Sequence, residues 1–214
     1  MIGAGAVPHL SQGAGSRPAL RLLHDETAMF IQTEATPNPA TLKFLPGRVV
    51  MERGTFDARA AEGAEGSPLA QRLFAIPGVA GVFFGYDFVT ITKGEGEWQH
   101  LKPAILGAIM EHFMSGQPVV ADAGPAEAAE GAEFFEESDA DTVATIKDLI
   151  ETRVRPAVAG DGGDITFRGY RDGIVYLAMK GACAGCPSST ATLKHGIQNL
   201  LRHFVPEVQE VQQI

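Results

Sequence analysis

The chain has 214 residues, 45% of them hydrophobic, and a formal net charge of −9. That is enough apolar material for one or two cores, yet no run approaches the roughly 18 uninterrupted apolar residues of a membrane span, so a soluble, non-membrane protein is expected. The charge is local: Asp122, Glu127, Glu130, Glu133, Glu136, Glu137, Asp139 and Asp141 fall within residues 120–141 without one Lys or Arg, while the flanking parts are near neutral and hold no basic stripe for nucleic acid.

Residues 1–28 are rich in Gly and Ala, with Arg17, Arg21, Asp25 and Glu26 among them, and lack the apolar segment of a secretory signal. They are expected to be a disordered tail or to follow a mis-assigned start. A bacterial cytoplasmic protein is the favoured setting, and the mitochondrial matrix is the alternative if these residues are a presequence. Residues 29–118 carry the signals of an α/β domain. Short strands are expected at Phe30–Glu34 and Leu42–Leu45, around the turn Thr36-Pro37-Asn38-Pro39. Ser67-Pro68 predicts a capped helix start, with Leu69, Leu73 and Phe74 on one face and Ile76-Pro77-Gly78 as the stop. Val79–Phe84 and Phe88–Lys93 read as a hairpin. Leu101, Ile105, Ile109 and Phe113 recur every four residues, which predicts an amphipathic helix closed by Ser115-Gly116.

Residues 119–138 are mostly Ala, Glu and Gly and are expected to form an acidic, flexible linker that leaves the two domains free to reorient. Phe134 and Phe135 interrupt it and either dock on a neighbour or open the next domain. Residues 139–214 then predict a second small domain in the order helix–strand–strand–CxxC–helix–strand. Ser138-Asp139-Ala140-Asp141 has the form of a capping box, and Val143, Ile146, Ile150 and Val154 follow the helical period until Pro156 is expected to end the helix. Gly160-Asp161-Gly162-Gly163-Asp164 reads as a turn in which Asp161 and Asp164 serve local structure. Strands are expected at Ile165–Tyr170 and Ile174–Lys180, joined through Arg171-Asp172-Gly173. Leu193, Ile197, Leu200, Leu201 and Phe204 mark the apolar face of the last helix, and Val208–Ile214 a last strand. The fold class is α+β.

Cys183 and Cys186 are the two cysteines of the chain, in the run Gly181-Ala182-Cys183-Ala184-Gly185-Cys186-Pro187. Two thiols at this spacing can grip a soft metal centre or close a short disulfide. A full sulfur site or iron–sulfur cluster usually needs four thiolates, so such a centre requires a second chain. The loop lies between a strand and a helix start near Pro187–Ser189, where the helix dipole favours thiolates. Its Gly and Ala neighbours predict a surface loop with room for an anionic cluster. Three other readings stay open: a zinc site, which would need two more ligands with nearby His195 as one candidate, a thioredoxin-like thiol–disulfide oxidoreductase, and a buried structural pair. His195, nine residues past Cys186, is expected to be an ordinary helical residue.

Two motif sets resemble one family. Arg155-Pro156, Gly160–Ile165 and Gly181–Ser189 resemble the NifU C-terminal domain of the Nfu iron–sulfur scaffolds and carriers. Met29–Pro39, Leu42-Lys43-Phe44 and Ile76-Pro77-Gly78-Val79 resemble the family's N-terminal domain. The resemblance implies a carrier that is not an enzyme, with Cys183 and Cys186 ligating one [4Fe–4S] cluster per homodimer. It also implies upstream cluster-assembly proteins as suppliers, apo iron–sulfur proteins as clients, and a part for the N-terminal domain in choosing partners.

Overall fold

The computed structural model describes residues 30–121, 133–184 and 187–214, with the backbone alone at 187–189. The fold is α+β and contains two hydrophobic cores. In the first, β1 (Gln32–Ala35), β2 (Thr41–Leu45), β3 (Phe56–Ala58), β4 (Val79–Phe84) and β5 (Val89–Lys93) form an antiparallel sheet ordered β1-β2-β5-β4-β3. Alternation sends Leu42, Phe44, Val82, Phe84, Val89 and Ile91 to one face. There they meet Leu69 and Leu73 of α1 (Pro68–Phe74) and Leu101, Ile105 and Ile109 of α2 (Trp98–Ser115). Burying side chains of this size contributes roughly 1.5–3 kcal/mol each, so this face supplies the bulk of the domain's stability.

The local signals act as anticipated at several ends. Ser67 Oγ accepts from the Ala70 N–H at 3.1 Å ahead of Pro68, and Gly116 closes α2 at φ 68°. In the Thr36–Pro39 turn, Asn38 Oδ1 accepts from the Ala40 N–H and the Asn38 carbonyl from the Thr41 N–H, both at 2.9 Å. On α2 the deepest position past Ile109 belongs to His112 instead of Phe113, which is half-buried. Strand β3 had no alternating pattern long enough to announce it.

The second core lies on the sheet β6-β7-β8, made by β6 (Gly163–Arg171), β7 (Ile174–Gly181) and β8 (Glu210–Gln213). Strands β6 and β7 form an antiparallel hairpin whose turn uses Asp172 and Gly173 at φ 52° and 79°, while β8 runs parallel to β7. Ile165, Phe167, Leu177 and Met179 face α3 (Ala140–Leu149), α4 (Arg155–Gly160) and α5 (Pro187–Phe204). Four expectations need correction here. Pro156 does not end the helix: a π turn at Ile150–Val154 joins α3 to α4, and the wider turn carries the chain past the carbonyl a proline ring would strike. No side-chain capping box forms, because a 3-10 turn at Glu137–Asp139 leads into α3. Phe204 is 44% exposed and lies under the Arg153 guanidinium at 4.8 Å instead of joining the core. The two domains are also docked on each other, through hydrogen bonds that Lys43, Arg59 and Thr90 of the first make to backbone carbonyls of the second.

Most of the linker expected to be flexible, residues 122–132, lies outside the described residues. Phe134 docks. Its N–H donates to the Arg168 carbonyl at 3.1 Å and its carbonyl accepts from the Tyr170 N–H at 2.9 Å, at a bulge in β6. Gly169 makes room for the ring, since a Cβ there would sit 2.5 Å from it, and Tyr176 packs against it at 5.1 Å. Phe135 stays exposed. Among the described residues no helix is long and apolar enough to cross a membrane.

Candidate functional site

Strand β7 ends at Gly181, whose φ of 62° turns the chain sharply into the cysteine loop. Three hydrogen bonds hold the loop in place. The Ala182 N–H donates to the Gly162 carbonyl and the Ala184 N–H to the Gly181 carbonyl, each at 3.1 Å. Thr190 Oγ1, in the first turns of α5, donates to the Cys183 carbonyl at 3.1 Å. The loop is thus tied to the turn before β6, to the end of β7 and to the following helix.

Cys183 is not a surface residue. It is 6% exposed and belongs to the second core, with its sulfur against Gly163, where a Cβ would lie only 2.7 Å from Sγ. Burial, followed by the charges of Asp161 and Asp164, pushes its thiol up to about 12. The expected surface loop with a lowered thiol pKa is therefore corrected at this residue: desolvation outweighs any helix-terminus effect. Cys186 lies outside the described residues. His195, exposed on α5, stays an ordinary helical residue. Among the described residues no three His, Cys, Asp or Glu side chains converge as a metal cage.

Asp164 has the structural part expected of it. Arg155 grips it with Nε on Oδ1 at 2.8 Å and Nη2 on Oδ2 at 2.9 Å, and Nη1 binds Glu151. The hydrogen bond to Asp164 is the main cause that raises the Arg155 pKa. This clamp fixes the start of α4 to the start of β6, where Asp164 follows Gly163, the residue that Cys183 Sγ packs against. Asp161 is exposed and makes no such pair among the described contacts. A groove of about 590 Å³ lies between the Arg153–Asp161 stretch and α5, with Pro37 at its rim. Its described lining is largely aliphatic and does not include Cys183.

The front domain reaches this site with the sheet face that points away from its own core. Lys43 Nζ donates to the Ala159 and Gly160 carbonyls, both at 3.1 Å. Thr90 Oγ1 donates to the Gly162 carbonyl at 2.7 Å, and Arg59 Nη2 to the Met179 carbonyl at 3.0 Å. Sequence reasoning assigned none of these residues a task, because a lysine and a threonine that alternate with apolar residues along a strand read as solvent-facing.

Comparison with known proteins gives the same two-part division. Residues 31–116 match the family model "Scaffold protein Nfu/NifU N terminal", and residues 146–212 match the "NifU-like domain". The chain is 53% identical over 188 residues to "NifU-like protein 4, mitochondrial" of Arabidopsis thaliana, covering 86% of this chain and 66% of that protein. It is 49% identical over 193 residues to "NFU1 iron-sulfur cluster scaffold homolog, mitochondrial" of Homo sapiens, covering 89% of this chain and 74% of that one. The chain thus spans just under two thirds of the Arabidopsis relative's length. A solution structure of a NifU-like protein from Saccharomyces cerevisiae matches 56% of the chain at 25% identity, with a TM-score of 0.41. The mitochondrial names of relatives this similar overturn the expected bacterial cytoplasmic setting.

Proposed function

Because the chain belongs to the Nfu/NifU scaffold-protein family, we propose that it is an iron–sulfur cluster scaffold and carrier, working in mitochondria and not as an enzyme. The observation that carries this reading is the Cys183-x-x-Cys186 run inside the matched NifU-like domain, on a loop tied between a strand and a helix. The cargo is a [4Fe–4S] cluster, held by Cys183 and Cys186 of two identical chains. Two thiolates per chain make four, the usual ligand count for such a cluster. A cargo held by two ligands on each side can leave by stepwise exchange with the thiolates of an apo-protein. Upstream cluster-assembly proteins supply it, and apo iron–sulfur proteins receive it. Residues 29–118 contribute to choosing those clients, residues 139–214 hold the cargo, and 119–138 connect them.

Anaerobic reconstitution with iron and sulfide tests the proposal. A brown protein with about four irons per dimer is the expected result, in line with four-thiolate ligation. Size measurement should show dimers that depend on the cargo, and Cys183→Ala or Cys186→Ala should abolish stable uptake. Efficient disulfide reduction without iron uptake would overturn the reading.

A further inference from the structure

One row of residues crosses all five strands of the front sheet: Glu34, Lys43, Thr90, Phe83 and Asp57 are successive cross-strand partners. They occupy the face opposite the domain's own core. A row in that place is ordinarily solvated, yet Lys43 is 7% exposed and Thr90 and Phe83 are 1% exposed. The second domain is what covers them. It presents backbone: the Ala159 and Gly160 carbonyls to Lys43, and the Gly162 carbonyl to Thr90. The lysine ammonium meets carbonyls at the C-terminal end of α4, where a helix favours a cation.

Two glycines make the approach possible. A Cβ at Gly162 would sit 2.9 Å from Thr90 Oγ1, and one at Gly181 would sit 2.8 Å from the Phe83 ring. Both residues also have positive φ, 83° and 62°, so backbone conformation and closeness demand glycine together. These contacts meet the cysteine loop at one atom. The Gly162 carbonyl accepts from Thr90 Oγ1 at 2.7 Å and from the Ala182 N–H at 3.1 Å, and Ala182 immediately precedes Cys183.

We propose that the front domain is a latch on the cysteine loop: with the sheet face docked, Cys183 is held inside the core, and turning Cys183 outward to hold cargo with a second chain releases that face. This rests on the reading that Cys183 is a cluster ligand. In the docked form the sulfur faces Gly163 and cannot meet a ligand shared with another chain. Bringing residues 182–184 outward draws the Ala182 N–H away from the carbonyl it shares with Thr90, and lifts Gly181 off Phe83. Loading therefore opposes docking, and undocking favours loading, by the same amount. The face set free carries a lysine, a threonine and an aromatic ring that together fit exposed backbone carbonyls.

The test uses the full chain. In the cluster-free, reduced protein, the iodoacetamide alkylation rate at Cys183 is followed by peptide mass for wild type, Thr90→Val, Lys43→Met and the double variant. Loss of both contacts should raise the rate about tenfold, the change expected for a hydrogen bond or two, and Thr90→Ser should restore it. Hydrogen exchange in the same samples reports the Ala182 amide, with Phe44 and Ile165 as markers of the two cores. A variant that loses protection in a core is set aside in favour of wild type before and after loading with iron and sulfide, where Ala182 exchange should quicken by a similar factor. Unchanged alkylation in folded variants, or Ala182 protected equally before and after loading, would overturn the latch. Failure of every protein to take up iron would instead overturn the functional reading, and the alkylation rates would still decide the latch.

Discussion

His112 is the residue whose chemistry is most at odds with its surroundings. It is fully buried on α2, and neither ring nitrogen has a hydrogen-bond partner among the described groups. Burial, followed by the positive charge of Arg72, lowers its pKa from the ordinary value near 6.5. The imidazole is therefore neutral in the fold, while the unfolded chain takes up a proton as pH drops below 6.5. Its contribution is complete above that pH and is lost as pH falls toward the lowered value. Urea unfolding followed between pH 7.5 and 5 should show the front domain weakening with acid, and His112→Met should flatten that slope. Arg155 makes the complementary case, because it neutralises a carboxylate that is 6% exposed. Arg155→Met leaves Asp164 buried without its partner. It should destabilise the second domain by about 2–4 kcal/mol, the low end reflecting the partly exposed arginine. Equilibrium unfolding monitored in that domain checks it. A loss below about 0.5 kcal/mol would show that the clamp is held by hydration instead.

Elements depend on single side chains at their joints. Phe134 stands on the outer edge of β6, and Gly169 provides the space for its ring. Gly169→Ala should evict the ring and cost about 1–3 kcal/mol, as overpacking does. Phe134→Ala should cost much less in that background than alone, a coupling that a double-mutant cycle measures. Ser67→Ala should cost about 1 kcal/mol in the front domain through the lost cap on α1, read from its thermal midpoint. The sequence made α1, α2, the β4–β5 hairpin and the β6–β7 hairpin legible, because Ser67-Pro68, the four-residue apolar spacing, Gly116 and Asp172-Gly173 are local signals that tertiary packing did not override. It misled at Pro156, where a π turn absorbs the proline, and at Ser138–Asp141, where the cap pattern is present without its hydrogen bonds. The cysteine spacing was legible from one line of text. The burial of Cys183 was not, since it arises from a turn at Gly181 that folds the side chain under Gly163, a contact between distant parts of the chain.

At the scale of the whole molecule, two cores meet over a surface made on one side of side chains and on the other of backbone. Periodicity cannot reveal such a surface, because Lys43 and Thr90 look like solvent-facing members of an alternating strand. A fragment of residues 139–214 should still take up a cluster, measured by iron content after reconstitution, because its core is complete without the front domain. A fragment beginning at Glu133 should be the more stable of the two, since it keeps the Phe134 contacts with β6; their thermal midpoints decide this. The connection between the domains is pinned at both ends. The Ala121 N–H donates to the Gly66 carbonyl at 2.6 Å, and Phe134 is held by β6. Between Ala121 and Glu133 lie residues 122–132, a length whose full extension reaches about 40 Å at roughly 3.5 Å per residue. A front domain that lets go cannot wander beyond that leash. It remains at millimolar effective concentration relative to the surface it left, so rebinding is intramolecular and independent of how much protein the compartment holds. A client that occupies the freed face must outcompete a rival that never diffuses away, and its departure lets the rival return.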